Sequence, residues 1–108
     1  MSNPKAQKAV IKLDYPVQLP DRILNEIIMR RPNVGDLIDH PVKRGHELQS
    51  EIGLICALTE LHEEDLRLVD AADYEKLGDQ LAFFRGISRE ELAKIKGALT
   101  QPGHTVGA

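Results

Sequence analysis

The stretch IKLDYPVQL, residues 11–19, is apolar at every second position, with polar residues or proline between. A period of two is typical of a β-strand with one face on a core and the other in water. We predict a strand from about Ala9 to Leu19, with Pro16 at a sheet edge because proline cannot donate to a strand ladder. On this prediction five side chains face the core: Ile11, Leu13, Tyr15, Val17 and Leu19.

A second strand is predicted from about Ile23 to Arg31, after a turn at residues 20–22 (PDR). Its alternation divides the apolar side chains between two faces, with Ile23, Ile27 and Met29 on one and Leu24 and Ile28 on the other. A two-stranded ribbon over residues 9–31 is not stable alone in water. It must therefore pack on helices or on another copy of itself.

The spacing of apolar residues becomes helical after Pro32. Asn33 is a predicted N-cap with Asp36 in the first turn, and Pro41 stops that helix. Further helices are predicted at His46–Leu61, at Glu63–Val69, from an Asp70 cap to Arg85, and from a capping box of Ser88 and Glu91 over residues 87–100. The sequence thus predicts an α+β fold: an N-terminal two-stranded β-ribbon followed by a small bundle of four to five α-helices.

Two of these helices carry well-defined apolar faces. The helix over 46–61 is apolar around more than half of its circumference, which predicts a central position in the core. Its face contains Leu48, Ile52, Ile55 and Cys56, extended by Leu54, Leu58 and Leu61. The helix that ends near Arg85 carries one stripe, made of Tyr74, Leu77, Leu81 and Phe84.

The composition suits one soluble domain. The chain has 108 residues, is 42% hydrophobic and carries a formal net charge of -3, which argues against nucleic-acid binding by bulk charge. One cysteine excludes an internal disulfide, and no apolar run approaches the roughly 20 residues that span a bilayer. The N-terminus lacks the apolar segment of a signal peptide, so we expect a cytoplasmic protein. Residues 1–8 and 101–108 are predicted to be disordered.

No catalytic, cofactor or metal site is predicted. Cys56 lies on the apolar face of the central helix and is expected to be a core residue, and both phosphate-loop patterns, GxGxxG and GxxxxGK[ST], are absent. A metal held by His40 and His46 with Asp36 or Asp39 is a minor alternative, because the histidines lack the i, i+4 spacing of a helical site.

Partner binding is the favoured kind of function. Phe83 lies off the stripe that includes Phe84, and the last helix has a narrow apolar stripe typical of a helix that docks on another helix. Partner-binding residues are predicted on the ribbon and on the last two helices: Ile27, Met29, Arg30, Arg31, Phe83, Leu92, Ile95 and Leu99. Ordinary packing within the domain stays an equal alternative for Phe83 and the stripe.

Several short elements, taken in order, resemble a known family. They are DYPV at 14–17, RRPNVGDL at 30–37, EIGLICALT at 51–59, EEDL at 63–66 and LRLVDAADY at 66–74. Together they resemble the small tail assembly chaperones of long-tailed bacteriophages, in particular those of Mu-like prophages and related contractile-tailed temperate phages. The resemblance covers about residues 10–84, as part of a predicted domain over 9–86. The helix at 87–100 and the tail depart from the pattern.

The resemblance implies a protein without catalysis that binds the tape measure protein and keeps it soluble during tail tube assembly. It implies a place in the bacterial host cytoplasm rather than in the mature virion. A longer, frameshifted form of the chain is a further partner that it suggests. From the residues themselves, pairing of ribbon edges makes additional copies of the chain an expected partner, and the net charge and the lack of a long apolar run argue against nucleic-acid and membrane partners. The alternative is a small phage regulator that binds DNA through Arg30, Arg31, Lys43 and Arg44.

Overall fold

The computed structural model describes residues 7–100, and within them two strands precede five helices. The strands are β1 (Lys8–Gln18) and β2 (Ile23–Arg30), and the helices are α1 (Val34–Asp39), α2 (Glu47–Thr59), α3 (Glu63–Leu66), α4 (Ala71–Phe84) and α5 (Arg89–Thr100). The predicted α+β fold is confirmed. Of the segments expected to be disordered, residues 1–6 and 101–108 lie outside the described residues, whereas Lys8 begins β1 and pairs with Arg30.

The two strands form an antiparallel ribbon with an irregular centre. The register pairs Lys8 with Arg30 and continues to Lys12 opposite Glu26, and pairing resumes only at Val17 opposite Leu24. Residues 13–16 of β1 therefore bulge opposite Asn25 alone. Pro16 lies in this bulge, where its missing N–H removes nothing from the ladder.

The bulge changes which side chains face the core, so two sequence predictions were wrong. Tyr15, predicted on the core face, is 60% exposed, and Ile23, predicted with Ile27 and Met29, is 56% exposed. Leu24, predicted on the opposite face, is buried instead. The irregularity at Asn25 shifts the alternation of β2 by one residue, because Leu24 and Ile27 both turn inward across it.

The bulge is held by a carboxylate from a distant helix. Asp73, in the first turn of α4, is fully buried and accepts the backbone N–H groups of Asp14 and Tyr15, each at 2.9 Å. Lys76 Nζ lies 3.2 Å from the same carboxylate. Burial alone raises the pKa of Asp73, but these hydrogen bonds outweigh it and the pKa lies below its usual range. An ionised Asp73 thus satisfies two amides that the β-ladder leaves unpaired.

A second buried carboxylate fixes the junction between the ribbon and the helices. Arg30, at the end of β2, donates to both oxygens of Asp36 in α1, at 2.7 and 2.8 Å. Asp36 also accepts the Asn33 N–H at 2.8 Å, while Asn33 Oδ1 accepts the Asp36 N–H at 3.0 Å. The predicted Asn33 cap is confirmed as a reciprocal capping box. The guanidinium and then the Asn33 amide lower the pKa of Asp36 to about 2.

The core lies between the inner face of the ribbon and two helices, with α2 against β2 and α4 against β1. Its residues are almost all aliphatic: Ile11, Leu13, Val17, Leu19, Leu24, Ile27, Met29, Leu54, Ile55, Leu58, Leu66, Val69, Leu77 and Leu81. Tyr74 and Phe84, the ends of the predicted α4 stripe, are partly buried against this core. The predicted central place of α2 agrees with this packing.

The α2 helix is shorter than predicted, and one of its residues faces outward. It ends at Thr59 because Glu60 adopts a left-handed conformation with φ of 59°. Leu48, predicted in the core, is 62% exposed, since the buried face of α2 begins only at Leu54 and the first turn extends past the core.

Other helix ends follow the sequence signals closely. Asp70 Oδ1 accepts the Ala72 N–H at 2.8 Å, and Ser88 Oγ accepts the Glu91 N–H at 3.1 Å, so both predicted caps are confirmed. Gly86, with φ of 93°, follows α4 as expected for a glycine C-terminal stop. The α3 helix stops at Leu66, before the predicted Val69. Within residues 7–100, no helix has the length and apolar character needed to cross a membrane.

We expect Asp73→Asn to lower the melting temperature by roughly 5 °C or more at neutral pH, because one amide oxygen replaces a carboxylate that serves two N–H donors. The folded pKa of Asp73 is depressed, so its stabilisation is complete above the unfolded value of about 3.9 and is lost as pH falls through the folded value. The gap between wild type and variant should therefore narrow below about pH 4. Thermal unfolding by circular dichroism across pH measures this gap. Asp39→Asn, at an exposed site, is the control. Equal melting temperatures for wild type and Asp73→Asn at all pH values would contradict the stabilising role of the contact between Asp73 and the bulge.

Glu60→Gly should raise the free energy of unfolding by roughly 0.5–1 kcal/mol, because glycine adopts the left-handed conformation without a Cβ penalty. Urea denaturation measures the change. Glu60→Ala is the matched control, since it removes the carboxylate and keeps the strained Cβ, and it should stay near wild type. Equal gains in both variants would assign the effect to the charge instead of the backbone.

Candidate partner-binding surface

An apolar groove lies where α2, α3 and the start of α4 meet. Its volume is about 210 Å³, and its lining is almost entirely hydrocarbon: Leu48, Ile52, Leu66, Val69, Ala71 and Tyr74. Leu66 and Val69 belong to the core, whereas Leu48 projects into solvent at the rim. The groove is therefore a place where the aliphatic core reaches the surface.

The side-chain hydroxyl in the groove lining, that of Tyr74, already has a hydrogen-bond partner within the chain. Tyr74 donates its hydroxyl hydrogen to Glu51 Oε1 at 2.6 Å. Burial, followed by this carboxylate, raises the pKa of Tyr74 above its usual range, so the phenol stays protonated. Because the hydroxyl is engaged within the chain, the ring offers mainly apolar surface to a visiting side chain.

The segments that line the groove are rich in acidic residues. Residues 47–52 and 65–75 contain five acids besides the buried Asp73, namely Glu47, Glu51, Asp65, Asp70 and Glu75. The basic residue in these segments, Arg67, pairs with Glu63 at 3.3 Å. An apolar groove between segments whose composition is acidic fits the apolar face of an amphipathic segment whose flanks are basic or neutral.

Two predicted partner-binding residues lie inside the fold. Ile27 is 2% exposed and Met29 is 0% exposed, because the chain's own helices cover the inner face of the ribbon. A helix that docks on the inner face would reach them only if the ribbon moved away from α2. Both side chains are thus covered within the single chain, and their role in partner binding stays a prediction.

The two arginines predicted at the binding site are both engaged within the chain. Arg30 forms its bidentate ion pair with Asp36, and the Arg31 guanidinium lies over the Phe84 ring, 5.2 Å from the centroid. The DNA-binding alternative also named Lys43 and Arg44, which are exposed in the loop after α1. Two of the four basic residues are thus engaged within the chain, Arg30 by the ion pair and Arg31 by the ring contact.

The predicted residues on the last two helices are more accessible. Phe83 and Leu92 are half-buried, and Ile95 is 48% exposed on α5. The Leu99 side chain lies outside the described residues. The stripe of α5 therefore begins against α4 and becomes exposed at Ile95, and its role in binding stays a prediction.

Sequence reasoning missed the groove because it assigned Leu48 to the core. The signal that locates Leu48 at the surface is its place in the first turn of a helix preceded by a loop of exposed residues 41–46. Leu68, 59% exposed, was likewise missed and lines a neighbouring cleft with Tyr15, Pro16, Val17, Gln18 and Asp70.

The residues weighed for metal binding and nucleophilic catalysis lack the required arrangement. His40, His46 and Asp39 line one open cleft, but no group of three or more histidine, cysteine or acidic residues within 7–100 is placed to hold a metal ion. Asp36 is committed to Arg30. Burial, and then nearby Glu63, raise the pKa of the Cys56 thiol, which is opposite to what an activated nucleophile needs.

Comparison with known families gives one finding. A family model described as "Phage tail assembly chaperone proteins, E, or 41 or 14" matches residues 10–86. The matched region contains the ribbon, the groove and both buried carboxylates, and it ends before α5. No curated protein and no solved structure gives a significant match.

If the groove is a surface feature, its rim leucine should contribute little to folding. We expect Leu48→Ala to change the free energy of unfolding by less than about 0.5 kcal/mol, whereas Leu77→Ala should lower it by about 2–5 kcal/mol. Leu77 is fully buried, and Leu48 is 62% exposed. Urea denaturation of both variants measures the difference. A loss from Leu48→Ala as large as that from Leu77→Ala would mean that Leu48 is a core residue.

Proposed function

We propose, from the premise that this chain belongs to the family of phage tail assembly chaperones, that it binds the tape measure protein and keeps it soluble during tail tube assembly. The family gives the process. The tape measure protein is the client that the resemblance to this family implies, and the surface that binds it is inferred from the chemistry of the chain. The groove between α2, α3 and α4 is the observation that carries the proposal.

The groove matches what a long helical client needs before the tube covers it. Such a client exposes apolar side chains along one face, and in isolation these side chains associate with each other. Leu48 and Ile52 with the ring of Tyr74 offer an apolar surface that takes one or two such side chains at a time. Shallow binding of this kind is reversible, which suits a chaperone that must later release its client.

The acidic composition of the groove-lining segments favours basic over acidic parts of a client. Five acids accompany the groove-lining segments, so a client helix with lysine or arginine beside its apolar stripe binds more readily than an acidic one. The helix α5, with Leu92 and Ile95, supplies a second apolar contact on the same molecule in this proposal.

A binding role also agrees with the contacts of the two buried carboxylates, which are structural. Asp36 and Asp73 are the buried charged residues of the described chain. Each carboxylate accepts a hydrogen bond from at least one backbone N–H group and lies within ion-pair distance of a basic side chain. Neither faces a cavity where a substrate could be held. We therefore propose a non-enzymatic protein that acts in the host cytoplasm and stays out of the mature virion, with a frameshifted longer form as a further partner.

Co-expression with the tape measure protein of the same phage tests the function. The wild-type chain should raise the soluble fraction of the tape measure protein severalfold and co-purify with it. Leu48→Asp should reduce both by about tenfold, because it places a charge in the apolar groove. Circular dichroism should show that the variant remains folded.

Leu68→Asp is the matched control for the groove, since Leu68 has nearly the same exposure as Leu48 and lies outside the groove lining. It should leave co-purification unchanged. A tape measure protein that stays insoluble with the wild-type chain would overturn the proposed function, whereas equal losses in the two variants would move the binding site away from the groove.

A further inference from the structure

The outer edge of β2 is open. Within residues 7–100 the sheet contains β1 and β2 alone, so β2 has a ladder partner on one side only. An open cleft of about 420 Å³ runs along this edge, bounded by Leu24, Glu26, Ile27, Ile28 and Arg30 of β2 and by Leu58–Leu61 at the end of α2. A free strand edge beside a helix wall can accept one more strand through main-chain hydrogen bonds.

The outer face of the ribbon carries three cross-strand rows. Val10 lies opposite Ile28, and both are about half exposed, at 55% and 50%. On one side of this apolar row Lys12 faces Glu26, an opposite-charge pair. On the other side Lys8 faces Arg30, a like-charge pair that weakens the ribbon end.

We propose that β2 pairs antiparallel with β2 of a second copy, across a two-fold axis at Ile28, to form a four-stranded sheet. In this register Ile28 faces its own copy, and the apolar row extends across four strands as Val10, Ile28, Ile28 and Val10. A half-exposed row thus becomes continuous across the sheet and is flanked on both sides by charged rows.

The charges of β2 are self-complementary in the same register. Glu26 of each copy faces Arg30 of the other, so every Arg30 gains a carboxylate on the side away from Lys8. Arg30 keeps its bond to Asp36, because the guanidinium has five N–H donors and the ion pair uses two of its nitrogens. Pairing therefore offsets the like-charge contact within each ribbon.

The inner face supports the same register. Ile27 of one copy faces Met29 of the other, and both residues already belong to the core. A two-fold axis at Ile27 instead would set Glu26 opposite Ile28 and Leu24 opposite Arg30, which places charges against apolar side chains. Of these two registers, the one centred on Ile28 pairs apolar side chains with apolar side chains and opposite charges with each other.

A second copy fits this edge better than a helical client does. A helix has its backbone N–H and C=O groups bonded internally and cannot use the free edge, whereas β2 of another copy presents the same unpaired edge in return. The proposal is independent of client binding, since the groove between α2, α3 and α4 lies on other elements.

Cysteine cross-linking tests both the pairing and its register. In a Cys56→Ala background, Ile28→Cys should form a covalent dimer under mild oxidation, because residues on the two-fold axis have Cα atoms about 4.5–5.5 Å apart, within the range for a disulfide. Ile23→Cys is the matched control on the same strand, with 56% exposure, and its position falls beyond the proposed ladder. Ile23→Cys should cross-link at least about tenfold more slowly, as a randomly encountered surface thiol.

Sedimentation equilibrium of the full chain gives an independent measurement. Wild type should be dimeric at tens of micromolar, and Ile28→Lys should weaken dimerisation by at least about tenfold because it sets two lysines opposite each other. Ile23→Lys should dimerise like wild type. Circular dichroism checks that the variants are folded.

Three results would overturn the proposal. They are a wild-type chain that stays monomeric at its solubility limit, an Ile23→Cys variant that cross-links as fast as Ile28→Cys, and an Ile28→Lys variant that is folded and still dimeric with wild-type affinity.

Discussion

The bulged centre of the ribbon depends on hydrogen bonds to the carboxylate of Asp73. A two-stranded ribbon with four residues bulging opposite one has unpaired amides at its centre, and burying them without partners would be costly. Asp73 supplies both missing acceptors from the first turn of α4, 59 and 58 residues away along the chain. Because Asp73 itself is fully buried, its contact with the bulge also fixes how α4 lies beneath β1. Core packing between the ribbon and α4 follows from that placement.

The local features of the fold could be read from the sequence. Helix starts at Asn33, Asp70 and Ser88 were predicted because a cap depends on residues within one turn of each other. The order of elements followed in the same way from the change from a period of two to helical spacing at Pro32. These are properties that a short window of residues contains.

Several differences between the predictions and the structure share a cause, which is a contact with residues distant in sequence. Tyr15 and Ile23 were assigned to the wrong face because the bulge depends on Asp73, and nothing near residue 15 reveals that contact. Ile27 and Met29 were expected at a binding surface because a ribbon's two faces look alike until the helices that cover one of them are placed. The candidate groove was missed for the converse reason, since Leu48 has the right helical spacing and still extends beyond the core.

The bidentate contact between Arg30 and Asp36 has a consequence for how such chains diverge. Asp36 serves the strand end and the helix cap together, so replacing Arg30 leaves a buried carboxylate without its guanidinium, and replacing Asp36 opens the capping box and removes the ion pair of Arg30. Homologous chains should therefore inherit positions 30 and 36 as a matched pair, either both retained or both exchanged. The residue at one position would then predict the residue at the other. This covariation would identify the strand-to-helix corner in relatives whose overall sequence similarity is too low to detect.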